Sequence, residues 1–138
     1  MNNPAETVLE ELSNEECHRL LAEHHVGRVA FVVGGKPLIF PVNYVFDDDR
    51  VVFRTDEGLK LHHVPLRRVA FEIDGYDEAA RTGWSVVIQG STYEITRAID
   101  RRSEDLRRLP VQPFAPGDMA HWIEIQADTV TGRRILAK

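Results

Sequence analysis

Arg28-Val-Ala-Phe-Val-Val33-Gly34-Gly35-Lys36-Pro37-Leu-Ile-Phe-Pro41-Val-Asn-Tyr-Val-Phe46-Asp47-Asp-Asp-Arg50-Val51-Val-Phe-Arg54-Thr55 is the stretch that decides the fold. Three runs rich in β-branched and aromatic residues are punctuated first by Gly34-Gly35 and then by a polar turn over 47–50. That is the pattern of strands joined by tight hairpins. Proline cannot donate to a sheet ladder, so Pro37 and Pro41 predict that the return strand, Lys36 to Phe46, lies at an edge or carries a bulge.

Upstream, Ser13-Asn-Glu-Glu16 reads as a capping box, with Leu12 and Cys17 as its hydrophobic staple. Cys17, Leu20, Leu21 and His24 follow at the spacing of one helical face, and Gly27 suits the position just past the helix end. Downstream, Gly58 to Val64 reads as a helical turn stopped by Pro65, Arg68 to Ile73 as a strand, and Asp74 to Thr82 as a loop. Gly83 to Thr96 is the longest strand candidate, and Asp100 to Leu109 is a helix. A rigid irregular loop follows at Pro110 to Gly117. His121 to Gln126 closes as a strand, with a tail around Gly132-Arg-Arg134. About six strands with hairpin-length connections and two helices predict a mainly β (α+β) fold, an antiparallel sheet closed into a small barrel. Repeated βαβ units are absent, which argues against a doubly wound fold.

The 138 residues are read as one domain, large enough to bury roughly 70% of the unfolded chain's surface. A formal charge of −5 argues against a general nucleic-acid binder, but is compatible with one anionic ligand in a locally positive pocket. No apolar run approaches a membrane span. A single cysteine and a start without a basic, apolar leader lead us to expect a cytoplasmic protein.

The second turn-bounded strand ends in chemistry. Val51-Val-Phe-Arg54-Thr55-Asp-Glu-Gly58-Leu-Lys60 runs from an apolar ladder into two cations and a hydroxyl. Converging charge-assisted donors are what a phosphate requires, although a solvent-exposed strand end has the same composition. Trp84 and Trp122 are equally compatible with a core position. Gly-x-Gly-x-x-Gly and P-loop motifs are absent. Gly83-Trp-Ser85-Val-Val87 lacks the last glycine of a nucleophile elbow. One cysteine and six histidines without zincin spacing predict no metal site. Arg101, Arg102, Arg107 and Arg108, interleaved with Glu104 and Asp105, read as a solvated helix face with i, i+4 pairs.

Five segments in order, Pro41-Val-Asn-Tyr44, Phe53-Arg-Thr55, Gly58-Leu-Lys-Leu61, Val69 to Asp74, and Gly83-Trp-Ser-Val-Val-Ile-Gln-Gly90, resemble the pyridoxamine 5′-phosphate oxidase-like family of FMN-binding split barrels. The likeness covers about residues 7 to 135, and the capped helix with Val26-Gly-Arg-Val-Ala30 is similar to its short flavin-nucleotide-binding members. The resemblance implies a six-stranded antiparallel split barrel with flanking helices, forming a homodimer with the cofactor at the subunit interface. It implies that Val42, Asn43 and Tyr44 flank the flavin ring, that Arg54, Thr55 and Lys60 hold the phosphate with Leu61 beside it, and that Trp84 and Ser85 line the other side. Trp122 and Arg133 are expected to reach the partner's flavin. The implied activity is FMN-dependent oxidation or reduction of a small molecule, with the flavin doing the electron transfer. Tyr44 and His63 are the candidate acid or base. A flavin or haem carrier or redox sensor, and a deazaflavin-dependent reductase, are the alternatives. Vitamin B6 oxidation is disfavoured, because the C-terminal Thr131-Gly-Arg-Arg-Ile-Leu136 lacks the histidine of that family's vitamin-gripping segment.

Overall fold

The computed structural model describes residues 7–56, 66–113 and 120–137. Seven strands and two helices are present among them: β1 (Thr7–Glu11), α1 (Asn14–Glu23), β2 (Val26–Val33), β3 (Lys36–Asp47), β4 (Arg50–Thr55), β5 (Leu66–Asp77), β6 (Thr82–Glu94), α2 (Arg101–Leu106) and β7 (His121–Ala137). The sheet runs β1-β7-β4-β3-β2-β5-β6, all described pairs are antiparallel, and β6 pairs back onto β7. Six strands therefore close a ring. The seventh, β1, was not expected; it pairs with the end of β7 on the edge opposite β6.

Both predicted turns form two-residue hairpins in the left-handed region, Gly34-Gly35 with φ of 56° and 76° and Asp48-Asp49 with φ of 47° and 64°. The first half of β3 pairs only with β2, while β4 pairs with its second half from Tyr44 onward. Pro37 and Pro41 thus occupy an open edge, where their missing N–H groups cost no ladder bond.

Alternation along the strands builds two cores. Val51 and Phe53, Ile123 and Ile125, Val86 and Ile88 point into the barrel with Phe71 and Tyr44, and α1 adds Cys17, Leu20 and Leu21. Val52 faces outward and packs with Ile95, Leu106 and Val111 under α2.

Several local expectations need correction. Gly27 is not a helix terminator; it lies within β2, where a Cβ would fall 2.4 Å from Phe71 Cζ. The helix end is capped by side chains instead: His24 Nδ1 lies 2.8 Å from the Leu20 carbonyl, and the Tyr44 hydroxyl donates to the Leu21 carbonyl at 2.7 Å. The loop expected over 74–82 shrinks to 78–81, because Gly75, Tyr76 and Asp77 pair with Trp84, Gly83 and Thr82. The longest strand is β7, with 17 residues, and Gly132-Arg-Arg134 is part of it rather than a tail. Gly132 permits this because a Cβ would meet Cys17 Sγ at 2.6 Å, so β7 passes close beneath α1. On α2 the arginines reach away from the helix: Arg102 pairs with Asp48 and Arg107 donates to the Ile95 and Ala98 carbonyls. Arg108 pairs with Asp105 one turn back, at i, i+3. The turn expected over 58–64 and the second half of the loop over 110–117 lie outside the described residues.

Candidate functional site

The outward row of β3, β4 and β7 gathers one group of the expected site residues. Arg54 and Trp122 are register partners, and the Arg54 guanidinium carbon lies 5.2 Å from the Trp122 ring centroid. Arg54 Nη1 donates to the Val111 carbonyl at 3.5 Å, and Asn43 Nδ2 donates to the Pro113 carbonyl at 3.2 Å. Asn43, Arg54 and Trp122 thus converge under the segment that leaves α2. Arg107, bonded to two carbonyls upstream of that helix, pins the segment in place.

The inward row behaves differently. Val42 and Tyr44 are core residues, 4% and 1% exposed. The Tyr44 ring meets Phe71 edge-on with centroids 4.9 Å apart, and burial pushes its phenol well above the usual tyrosine range. With its proton donated to Leu21, the hydroxyl is a structural link between barrel and helix. Thr55 is fully buried, and its hydroxyl donates to the Asp56 carbonyl at 2.7 Å.

A second group forms elsewhere. Trp84, Ser85 and Arg133 line a cavity of about 370 Å³ together with Asp74, Tyr76 and Leu9. Ser85 stands opposite Asp74 on one side and Arg133 on the other. The Trp84 indole leans on His24, with ring centroids 4.7 Å apart, and presses on Gly75, where a Cβ would come within 2.7 Å of Nε1. Arg133 is exposed, whereas Arg134 is held by Glu16 at 3.0 Å. Beside the cavity Arg28 bridges Glu72 and Asp74 at 3.0 and 3.4 Å. Burial, reinforced by Asp74, raises the Glu72 pKa against the opposing pull of Arg28.

The two groups share β7 but not a location on it. Trp122 and Arg133 are eleven residues apart, or about 36 Å of strand path at roughly 3.3 Å per residue. Within one chain they do not converge. Lys60, Leu61 and His63 lie outside the described residues.

One polar arrangement had no signal in the sequence. His121 Nδ1 lies 2.6 Å from Glu94 Oε1, which also accepts from Thr96 Oγ1 at 3.0 Å. These residues are far apart in sequence and meet because β6 and β7 pair; no spacing motif announces them. Among the described residues no group of three or more His, Cys, Asp or Glu is placed to hold a metal ion, and no helix is long and apolar enough to cross a membrane. A further cavity of about 710 Å³ is lined by Phe31, Val32, Leu38, Arg67 and Arg68 among others, and contains none of the expected site residues.

Residues 13–134 match the model of a family described as pyridoxamine 5′-phosphate oxidase. An uncharacterized protein of Mycobacterium tuberculosis, Rv0080, is 36% identical over 134 residues, covering 92% of this chain and 86% of its own. Among solved structures, an FAD-binding protein from Mycobacterium smegmatis is 30% identical with a TM-score of 0.67, covering 92% of this chain and 98% of its own. An FAD-binding protein from Mesorhizobium loti is 26% identical with a TM-score of 0.73, over 92% and 98%.

Proposed function

The chain belongs to the pyridoxamine 5′-phosphate oxidase family, and from that premise we propose that two copies hold a flavin nucleotide between them to oxidise or reduce a small molecule. The observation that carries this reading is the division of the site residues into two groups at separate positions on β7. One group offers a half-buried cation, an amide and an indole; the other offers an indole, a hydroxyl and an exposed cation. In a two-fold dimer a patch that lies off the axis meets a different patch of the other subunit, so Asn43, Arg54 and Trp122 of one copy would face Trp84, Ser85 and Arg133 of its partner.

The donor set fits a flavin nucleotide. Arg54, seated on Trp122 and tied to Val111, is held in place to meet a phosphate, and the family resemblance implies Lys60 as its companion with Leu61 beside it. Thr55 would fix the strand end, with its hydroxyl already committed to Asp56. Val42 and Tyr44 would contribute main-chain groups, since their side chains are in the core. Trp84, braced by His24 and Gly75, supplies a rigid aromatic wall that excludes water. When bound, the flavin supplies the electron-transfer chemistry, and the protein supplies binding and orientation. FMN is the form implied by the sequence likeness. FAD is the second reading, favoured by the two relatives named for binding it. A vitamin-gripping role for Arg134 is disfavoured, because it is spent on Glu16.

The test is an absorption spectrum of the purified full chain before and after adding FMN or FAD, with the solution mass and the mass of the released cofactor measured on the same sample. Flavin bands travelling with a dimer support the proposal. A protein that stays colourless with both flavins contradicts it, and would turn attention to the deazaflavin coenzyme; a Soret band would indicate haem.

A further inference from the structure

The barrel comes apart between β2 and β5. These strands pair only from Arg28 and Glu72 to Ala30 and Ala70, yet both continue past that ladder. Residues 31–33 of β2 and 66–69 of β5 therefore face one another without pairing. The gap between them holds the cavity of about 710 Å³, within the range of roughly 300–1,000 Å³ usual for small-molecule sites.

The two lips of this gap differ in chemistry. The β2–β3 lip is apolar, with Phe31 as a buried floor and Val32, Pro37 and Leu38 as an exposed rim. The β5 lip is cationic. Arg68, on the outward row, is committed to Asp128 and to the Ser91 hydroxyl. Arg67, on the inward row with Val69, lies over the Phe31 ring at 5.6 Å from its centroid. Its Nη1 donates to the Val32 carbonyl at 2.8 Å, a bond thrown across the gap where the ladder has ended. No carboxylate pairs with Arg67 among the described residues, and its enclosed Nε has no acceptor among them. A partly buried guanidinium with one neutral acceptor leaves most of its five donors unspent. A carboxylate matches that fork through both oxygens, and an apolar body attached to it would cover Phe31, Val32 and Leu38.

We propose that the split between β2 and β5 is a second ligand site, which takes a small apolar carboxylic acid with its head on Arg67 and its body on the β2–β3 hairpin. The site goes beyond the flavin reading and does not depend on it. Its lining includes neither Asn43, Arg54 and Trp122 nor any residue of the cavity around Trp84 and Arg133. Charge complementarity with Arg67 selects the acid over a neutral molecule of the same shape.

The experiment is calorimetric titration of the full chain with decanoate and with decanol, which has the same chain without the charge. Decanoate should bind about tenfold more tightly, the gain of one charge-assisted bond. Arg67→Met keeps an unbranched stem on Phe31 and removes the cation. It should bring decanoate down to the decanol affinity and leave decanol unchanged. Val32→Glu guards against a folding defect in that variant, because Val32 is 57% exposed and its carbonyl stays in place for Arg67. It sets a like charge on the rim, and should weaken decanoate more than decanol. Arg54→Ala, on the flavin side, should leave decanoate affinity unchanged. Equal binding of the two probes overturns the proposal, as does a folded Arg67→Met or Val32→Glu with undiminished affinity for decanoate. A loss of decanoate in Arg54→Ala would put the acid at the flavin site and overturn it too. So would binding of neither probe, the result expected if the partner subunit of the proposed dimer covers the split.

Discussion

Replacing Tyr44 by phenylalanine removes one hydroxyl and tests whether this residue belongs to the core or to the chemistry. The phenol is 1% exposed and donates at 2.7 Å to the carbonyl of Leu21, in the last turn of α1. That carbonyl has no partner further along the helix, so the substitution leaves it buried and unpaired. An unpaired buried acceptor costs about 1–2 kcal/mol, which should move the urea midpoint down by about 0.5–1 M. Protein concentration must be held fixed, because the stability of the proposed dimer would depend on it. The pH dependence adds a second signature. Burial raises the folded-state pKa above the ordinary value of 10, so the folded protein keeps a proton that the unfolded chain releases. Stability from this group is complete below pH 10 and is lost as pH rises toward the folded pKa. Tyr44→Phe should therefore flatten the alkaline decline. Flavin affinity should be unchanged. A variant as stable as wild type that binds flavin tenfold more weakly would refute the assignment and put the phenol in the site.

Other substitutions probe other joints. Gly90→Ala should abolish folding or lower the melting temperature by more than about 10 °C, because its Cβ would lie 2.1 Å from the Gln126 carbonyl oxygen at the register shift between β6 and β7; circular dichroism melting checks it. Arg134→Ala should flatten the acid limb of the stability profile measured by urea titration. The Arg134 hydrogen bond, against opposing burial and with help from Ser13, lowers the Glu16 pKa below 4.5, so that contribution is present above pH 4.5 and lost as pH falls. Arg54→Ala should weaken flavin binding about tenfold and change the emission of Trp122, whose face it covers; a fluorescence titration reads both.

The hairpins were legible because their signals are local. Gly34-Gly35 and the aspartate turn fix two reversals of the chain, and the two prolines mark the edge half of β3. What the sequence hid was set by pairing across long separations. Thr7–Glu11 is short and exposed throughout, so no alternation marks it as a strand; only the end of β7 makes it one. Gly27 reads locally as a helix terminator, yet its freedom is used against Phe71. The site was legible by type rather than by role. Arg54, Asn43 and Trp122 do gather, while Tyr44 and Thr55 turn inward by the parity of their strands. His121 and Glu94 were visible only as isolated residues until the β6–β7 register joined them.

The central claim is that one flavin needs residues from two copies, and mixing variants tests it most directly. Arg54→Ala damages one half of each site and Arg133→Ala the other, so each variant alone should bind flavin weakly. Dissociated and reassociated together, half the dimers become mixed, and each mixed two-fold dimer regains one site built from undamaged halves. Flavin titration of the mixture should then recover tight binding at about a quarter of all sites, by random pairing of two variants in an isologous dimer. A mixture that binds no better than the average of its two components would contradict the shared site and confine the flavin to a single chain.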